Sequence, residues 1–140
     1  MPYSVRPELD AAMRRLSAVT GMISKMEIGT LNVLKNFANP SYTIAKVLEA
    51  AAVLRGHNPK KWTWSKAKQE LADASSFKLG IMTFEEDSVS SATIEKLEPY
   101  VSDPELELGK VEQVSSAAHV IMSWVLAIDA YFRAKHGRSQ

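Results

Sequence analysis

Two narrow apolar stripes, one at each end of the chain, constrain the fold more than any other feature. Near the N-terminus apolar side chains recur in alternating steps of three and four, at Leu9, Ala12, Leu16, Val19, Ile23 and Met26. Near the C-terminus Val114, Ala118, Ile121, Val125, Ile128 and Phe132 step by four and three until Lys135 ends the stripe. Such spacing marks an α-helix that turns a two-residue-wide seam toward one partner helix. The second stripe is broadened by Ala117, Trp124 and Tyr131, so the first part of that helix is expected to pack inside a domain as well as along a partner. Two seam-bearing helices separated by a long segment pair within one chain only if they run antiparallel. The predicted fold is therefore all-α: an antiparallel two-helix coiled coil capped by a small bundle of short helices. Residues 1–29 form the first strand, 30–110 the cap, and 111–140 the return helix.

The first seam stops at Thr30, beside Gly29, and apolar positions resume out of phase at Leu31, Leu34 and Phe37. A glycine with a phase slip predicts that the long helix ends or jogs near 28–30 and that a short helix follows to about Phe37. In the middle of the chain, Asn39-Pro40 reads as a cap and first helical residue. Ile44, Val47, Leu48, Ala51 and Leu54 give a core face, and Gly56 and Pro59 stop that helix. Thr63 caps a helix carrying Trp64, Ala67 and Leu71; Phe77, Ile81 and Met82 mark another; Ile94 and Leu97 a further one, ended by Pro99. No strand-like alternation and no internal repeat is present.

At 140 residues and 46% apolar composition, one domain with a real core is expected. Apolar runs such as AAAVL at 50–54 fall far short of the ~20 residues of a membrane span. The start, MPYSVRPELD, carries no secretory pattern, so a cytosolic or nuclear location is expected. With no cysteine there is neither a disulfide framework nor a thiolate metal site. Phosphate-cradling loops of the GxGxxG or P-loop kind are missing, and His57, His119 and His136 share no ligand spacing. His119, among apolar neighbours, reads as a packing histidine. Glu85-Glu86-Asp87 reads as a solvated loop or a helix N-terminal charge, and Ser115-Ser116 has no motif-placed base. No cofactor, no metal and no catalytic residue is expected.

The net charge of +1 hides an uneven distribution. Arg55, Lys60, Lys61, Lys66 and Lys68 lie in a stretch without acids, whereas 85–107 holds eight acids against Lys96. Within NPKKWTWSKAK (58–68), Trp64 shares a helical face with Ala67 and Leu71 and is expected to anchor in the core, with Trp62 as a lid. The lysines then form a rim that is either merely solvated or faces an acidic protein. The acidic half argues against nucleic acid.

Several blocks in order carry a resemblance: NVLKNFANP, a helix ending in LRG, WSKAKQELADASSF, FEEDSV, PYVSDPE and VSSAAHVIMSW. From about Pro7 to Lys135 the chain resembles the distal stalk and microtubule-binding domain of a dynein heavy chain, more axonemal than cytoplasmic in style. The resemblance implies a non-catalytic module of an ATP-driven motor that docks on tubulin, with affinity controlled by coiled-coil register. Its implied partners are the microtubule and the rest of the heavy chain, with no nucleic acid and no membrane. The implied location is the cytoplasm and cytoskeleton, in a cilium or flagellum axoneme.

Carried over by position, the docking surface comprises Asn32, Lys35 and Asn36; the helix from Trp64, with Lys68; and Lys110 with Gln113. Lys60, Lys61 and Lys66 add to it. Leu9, Ala12, Leu16, Val19, Ile23 and Met26, with Ile121, Val125, Ile128 and Phe132, form the register-setting seam. Relatives in the resemblance carry Arg or Lys at the place of Gln113 and often Lys at Ser116, so this chain departs from the pattern there. The alternative reading is a coiled-coil adaptor or scaffold that binds another acidic protein.

Overall fold

The computed structural model describes residues 6–137; the ends of the first and last predicted segments, 1–5 and 138–140, lie outside the described residues. Eight α-helices and three short 3-10 turns are present among the described residues, with no strand. Helix α1 (Pro7–Lys25) begins with a proline at its first turn, followed by Glu8 and Asp10, and ends with Lys25, an arrangement matched to the helix dipole. It packs along α8 (Ser116–Lys135) more extensively than any other pair of elements. The pair is antiparallel, because the Arg6 guanidinium at the start of α1 donates to the carbonyls of Ala134 and Lys135 at the end of α8, the latter at 2.7 Å. Ala12, Val19 and Ile23 are buried on α1 and Met26 just past its end, and Ile121, Val125, Ile128 and Phe132 on α8; Leu9 and Leu16 are half-buried.

The jog after α1 falls at Met26 and Glu27, not at 28–30. Both adopt extended backbone, and α2 (Ile28–Lys35) then starts with Gly29 inside it. Two extended residues are enough to shift the phase, and Gly29 has no left-handed φ to contribute. Helix α3 (Tyr42–Leu54) is capped by Ser41, whose hydroxyl accepts from the Ile44 amide at 3.3 Å, so Pro40 precedes the cap and is not the first helical residue. It ends at Gly56 (φ 101°), where the Gly56 and His57 amides donate to the carbonyls of Val53 and Ala52. This left-handed closure strongly favours glycine. Thr63 caps α4 (Trp64–Leu71), as its hydroxyl accepts from the Lys66 amide, and Asp73 caps α5 (Ala74–Met82).

Helix α6 (Ser91–Val101) runs through Pro99. The proline removes one bond in the last turn but is exposed, and burial of Ile94, Leu97 and Tyr100 carries the helix past it. The return segment is two helices rather than one from residue 111. Helix α7 (Leu108–Val114) ends at an extended Ser115, whose hydroxyl accepts from the Ala118 amide at 3.1 Å and opens α8. Val114, expected in the seam, belongs to α7 and is 46% exposed.

Helix α3 and α8 form the spine of the core, around Trp124 and its edge-on contact with Phe84. The termini of the described pair lie at one end of the molecule. Helix α2 and the α7–α8 elbow lie at the other, because each directly continues a paired strand past that far end.

Candidate docking surface

Helix α2 occupies a position between two other candidate elements. On one side it packs against α4, joined by a 2.8 Å hydrogen bond from the Trp64 indole nitrogen to the Phe37 carbonyl. Trp64 is therefore half-buried at the surface and not a core anchor; Ala67 and Leu71 fill the core instead. The indole carries a donor that needs a partner, and the end of α2 supplies one. On the other side α2 and the elbow enclose a groove of about 270 Å³ lined by Thr30, Val33, Leu34, Phe37 and residues 114–117. Val33, Phe37 and Val114 are exposed there, at 58%, 39% and 46%. The structure thus brings α2, α4 and the elbow to one end of the molecule.

None of the expected contact residues lines this groove; Lys35 and Asn32 on α2 are half-buried, and Asn36, Lys66, Lys68, Lys110 and Gln113 are exposed. Lys60 and Lys61 sit on the 3-10 turn Pro59–Lys61, which packs on α3, and the Lys66 ammonium donates to the Lys61 carbonyl at 2.8 Å. Trp62 is half-buried and lies 5.1 Å from the His57 ring, so it covers the α3–α4 connection and not Trp64. Arg55 and His57 are both engaged by Glu70. Among the described residues Lys35, Lys60, Lys61, Lys66 and Lys68 have no acid within ion-pair distance, whereas Lys110 lies 3.6 Å from Glu105. The cationic character is therefore concentrated on α2, α4 and the 3-10 turn. The α7 side, with Lys110 shared and Gln113 neutral, contributes least.

A second set of polar contacts, on the far side of α8, was not part of the expected site. Asp129 is 1% exposed, and Arg133 reaches both its oxygens at 3.1 and 3.2 Å while donating to Glu98 of α6 at 2.8 Å. Burial raises the Asp129 carboxyl above the usual range, with Arg133 opposing. Asp87, expected in a solvated loop or as a helix N-terminal charge, is exposed in the first turn of the 3-10 helix Glu86–Ser88 and in addition accepts from Lys135 and from the Tyr131 hydroxyl, the latter at 2.8 Å. Those two bonds, Lys135 first, hold its carboxyl below the ordinary value. An acid inside an otherwise apolar helix with an arginine four residues on is the sequence signal for the first contact. No local signal marks the second, since the partners are far apart in the chain. Half-buried His119 lies 3.8 Å from Glu112, and no metal-binding cluster of His, Asp and Glu occurs among the described residues.

The family described as the microtubule-binding stalk of the dynein motor matches residues 5–135. The chain belongs to this family. It is 30% identical over 127 residues to human dynein axonemal heavy chain 2, covering 91% of this chain and 3% of that protein. To the flagellar outer-arm dynein beta chain of Chlamydomonas reinhardtii it is 32% identical over 129 residues, covering 90% and 3%. This dynein stalk chain thus spans a small fraction of the length of its curated relatives. Its fold is that of a solved structure named the microtubule binding domain of dynein-c, with a TM-score of 0.81, 24% identity, and coverage of 95% and 92% of the two chains.

Proposed function

We propose that this chain is the tip and distal stalk through which an axonemal dynein heavy chain docks on the microtubule, as a binding module that performs no chemistry itself. Family membership supports the partner. The observation that carries the docking site is the convergence of α2, α4 and the α7–α8 elbow at the end of the molecule opposite the paired strand ends. Asn32, Lys35, Asn36, Lys66 and Lys68, with Lys110 and Gln113 on the other flank, present hydrogen-bonding and cationic groups on α2, α4 and α7, the elements that converge beside the apolar groove. Lys60 and Lys61 extend the positive field along α3. Tubulin is acidic, and exposed ion pairs contribute roughly 0.2–1 kcal/mol each. A few such pairs with limited apolar contact correspond to affinity on the order of micromolar. The rest of the heavy chain, beyond the stalk, supplies the ATP-driven motion, in a cilium or flagellum.

The stalk strand 1–29 and the return strand within 111–140 are read as the transmission, and 30–110 as the tip. Support for a soft register comes from a cleft of about 400 Å³ along the pair, lined by Ala11, Ala12, Ala130 and Ala134 among others. Small knobs fill their holes incompletely, so alternative registers differ by only a few kcal/mol. Co-sedimentation of the chain with microtubules at low and at physiological salt tests the reading. Binding that weakens with salt is expected, and no pelleting at low salt overturns it. Chains crosslinked between α1 and α8 in two registers are expected to differ in affinity; equal affinity removes the register element alone.

A further inference from the structure

Among the described residues, the strand α1 meets the cap through mainly apolar contacts, with one directional exception. Ile23 and Met26, at the end of α1 and just past it, join the buried apolar cluster where α1 packs on α5, and contacts of this kind have no preferred bond direction. Lys78, half-buried on α5, is different. Its ammonium donates to the carbonyl of Ser24 at 2.9 Å and to that of Met26 at 2.8 Å. Among the described residues no acid pairs with it. Both carbonyls lie at the break between α1 and α2, where the helix has run out of its own amides: the Met26 amide turns back to Ile23, and Glu27 is extended. A cation placed there satisfies two orphan acceptors and faces the negative end of the α1 dipole.

We infer that Lys78 is a positioning residue that reads the axial position of α1 and holds the strand pairing seen here. The inference rests on the reading of α1 and α8 as a pair with more than one register. Hydrogen bonds of this length tolerate only a few tenths of an ångström of displacement, whereas each residue of slide along a helix moves the carbonyls by about 1.5 Å. A shift by one turn therefore removes both bonds. The apolar contacts exchange one small side chain for another over the same distance. Among the contacts from the cap to α1, Lys78 is thus the group whose bonding depends most steeply on register.

The chain contains no cysteine, so an introduced pair reports strand position without background. One pair, Ala12→Cys with Ala130→Cys, spans the cleft between the strands. A second, Leu16→Cys with Ala130→Cys, reports α1 displaced by one turn. In a thiol–disulfide buffer, Lys78→Met is expected to shift the ratio of the two crosslinks toward the displaced pair by roughly tenfold, the worth of a charge-assisted bond. Lys78→Arg, which keeps two donors, is expected to restore the ratio. An unchanged ratio, even with a lowered melting temperature, overturns the inference, because a merely structural lysine alters stability without moving the strand. Should Lys78→Met fail to fold, Lys78→Gln is read by the same ratio and the same criterion. No microtubule enters this experiment, so a failed latch leaves the co-sedimentation result standing, and the reverse holds too.

Discussion

Asp129 occupies a position in α8 where its neighbours Ala127, Ile128 and Phe132 are buried and apolar. A carboxylate is held there at the expense of its hydration, and Arg133 compensates by bonding both its oxygens and linking it to Glu98. Truncation of one partner is more damaging than loss of both, because a charge is left behind in the dry site. Asp129→Ala is expected to lower stability by roughly 3 kcal/mol, the low end of the range for a broken buried pair because Arg133 keeps Glu98. The double change Asp129→Ala with Arg133→Met is expected to recover part of that loss. Urea unfolding of the three chains checks both statements, and a double variant weaker than Asp129→Ala contradicts them. Gly56 shows the same dependence on context through the backbone. Its φ of 101° is strained for any other residue, so Gly56→Ala is expected to cost about 1 kcal/mol or more in the same assay, although no side chain obstructs the site.

Helices were legible in the sequence where a local rule had no competitor. Thr63 caps α4 and Gly56 ends α3 because each depends on residues within one or two turns, and the two seams were legible because each carries its own periodicity, with pairing to each other the available way to bury both. The failures lie where two rules competed. Gly29 drew the predicted jog although Met26 and Glu27 supply it; Pro99 drew a helix end that the burial of Tyr100 overrides; and an apolar stripe running from Val114 to Ala118 concealed the break at Ser115. The three elements expected to carry contact residues, α2, α4 and the start of the return segment, come together in the fold, but the apolar groove beside them was not legible, because it exists only once α2 and the elbow meet. Tethers between elements were equally hidden. The 3-10 turn Glu86–Ser88 is tied to the end of α8 by Asp87, and the pKa shifts fix when that tie is present. The Asp87 carboxyl is depressed below 3.8 and the Lys135 ammonium raised above 10.5, each chiefly by their mutual hydrogen bond. The linkage is therefore complete between those values, is lost as pH falls through the depressed carboxyl value, and is lost again as pH rises through the raised ammonium value. The protection of the amides at 86–89, their exchange slowed relative to the intrinsic rate at each pH, is expected to be flat across neutral pH and to fall at both extremes. Asp87→Asn is expected to flatten the acid limb, and an unaltered limb in that variant contradicts the tie.

At the scale of the whole molecule, charge is separated by element. Five lysines without acid partners lie on α2, on α4 and on the adjoining 3-10 turn, while Glu95, Glu98, Asp103, Glu105 and Glu107 lie on α6 and the segment leading to α7. In the proposed docking, an acidic track attracts the first group and repels the second, so the field orients the molecule before contact. The flank at α7 is the weak point of this arrangement, because Glu105 shares Lys110 and position 113 is a neutral Gln. Adding a cation there strengthens attraction where the present surface supplies least and asks nothing of the core, since Gln113 is exposed. Gln113→Arg is expected to raise microtubule affinity by about 1.5- to 5-fold at low salt, the range of one exposed ion pair, and by less at physiological ionic strength, where the screening length is about 8 Å. Unfolding midpoints of the two chains should coincide. Co-sedimentation at two salt concentrations reads the difference, and an affinity gain that does not shrink with salt would assign the effect to packing in the groove between α2 and the elbow instead of to charge.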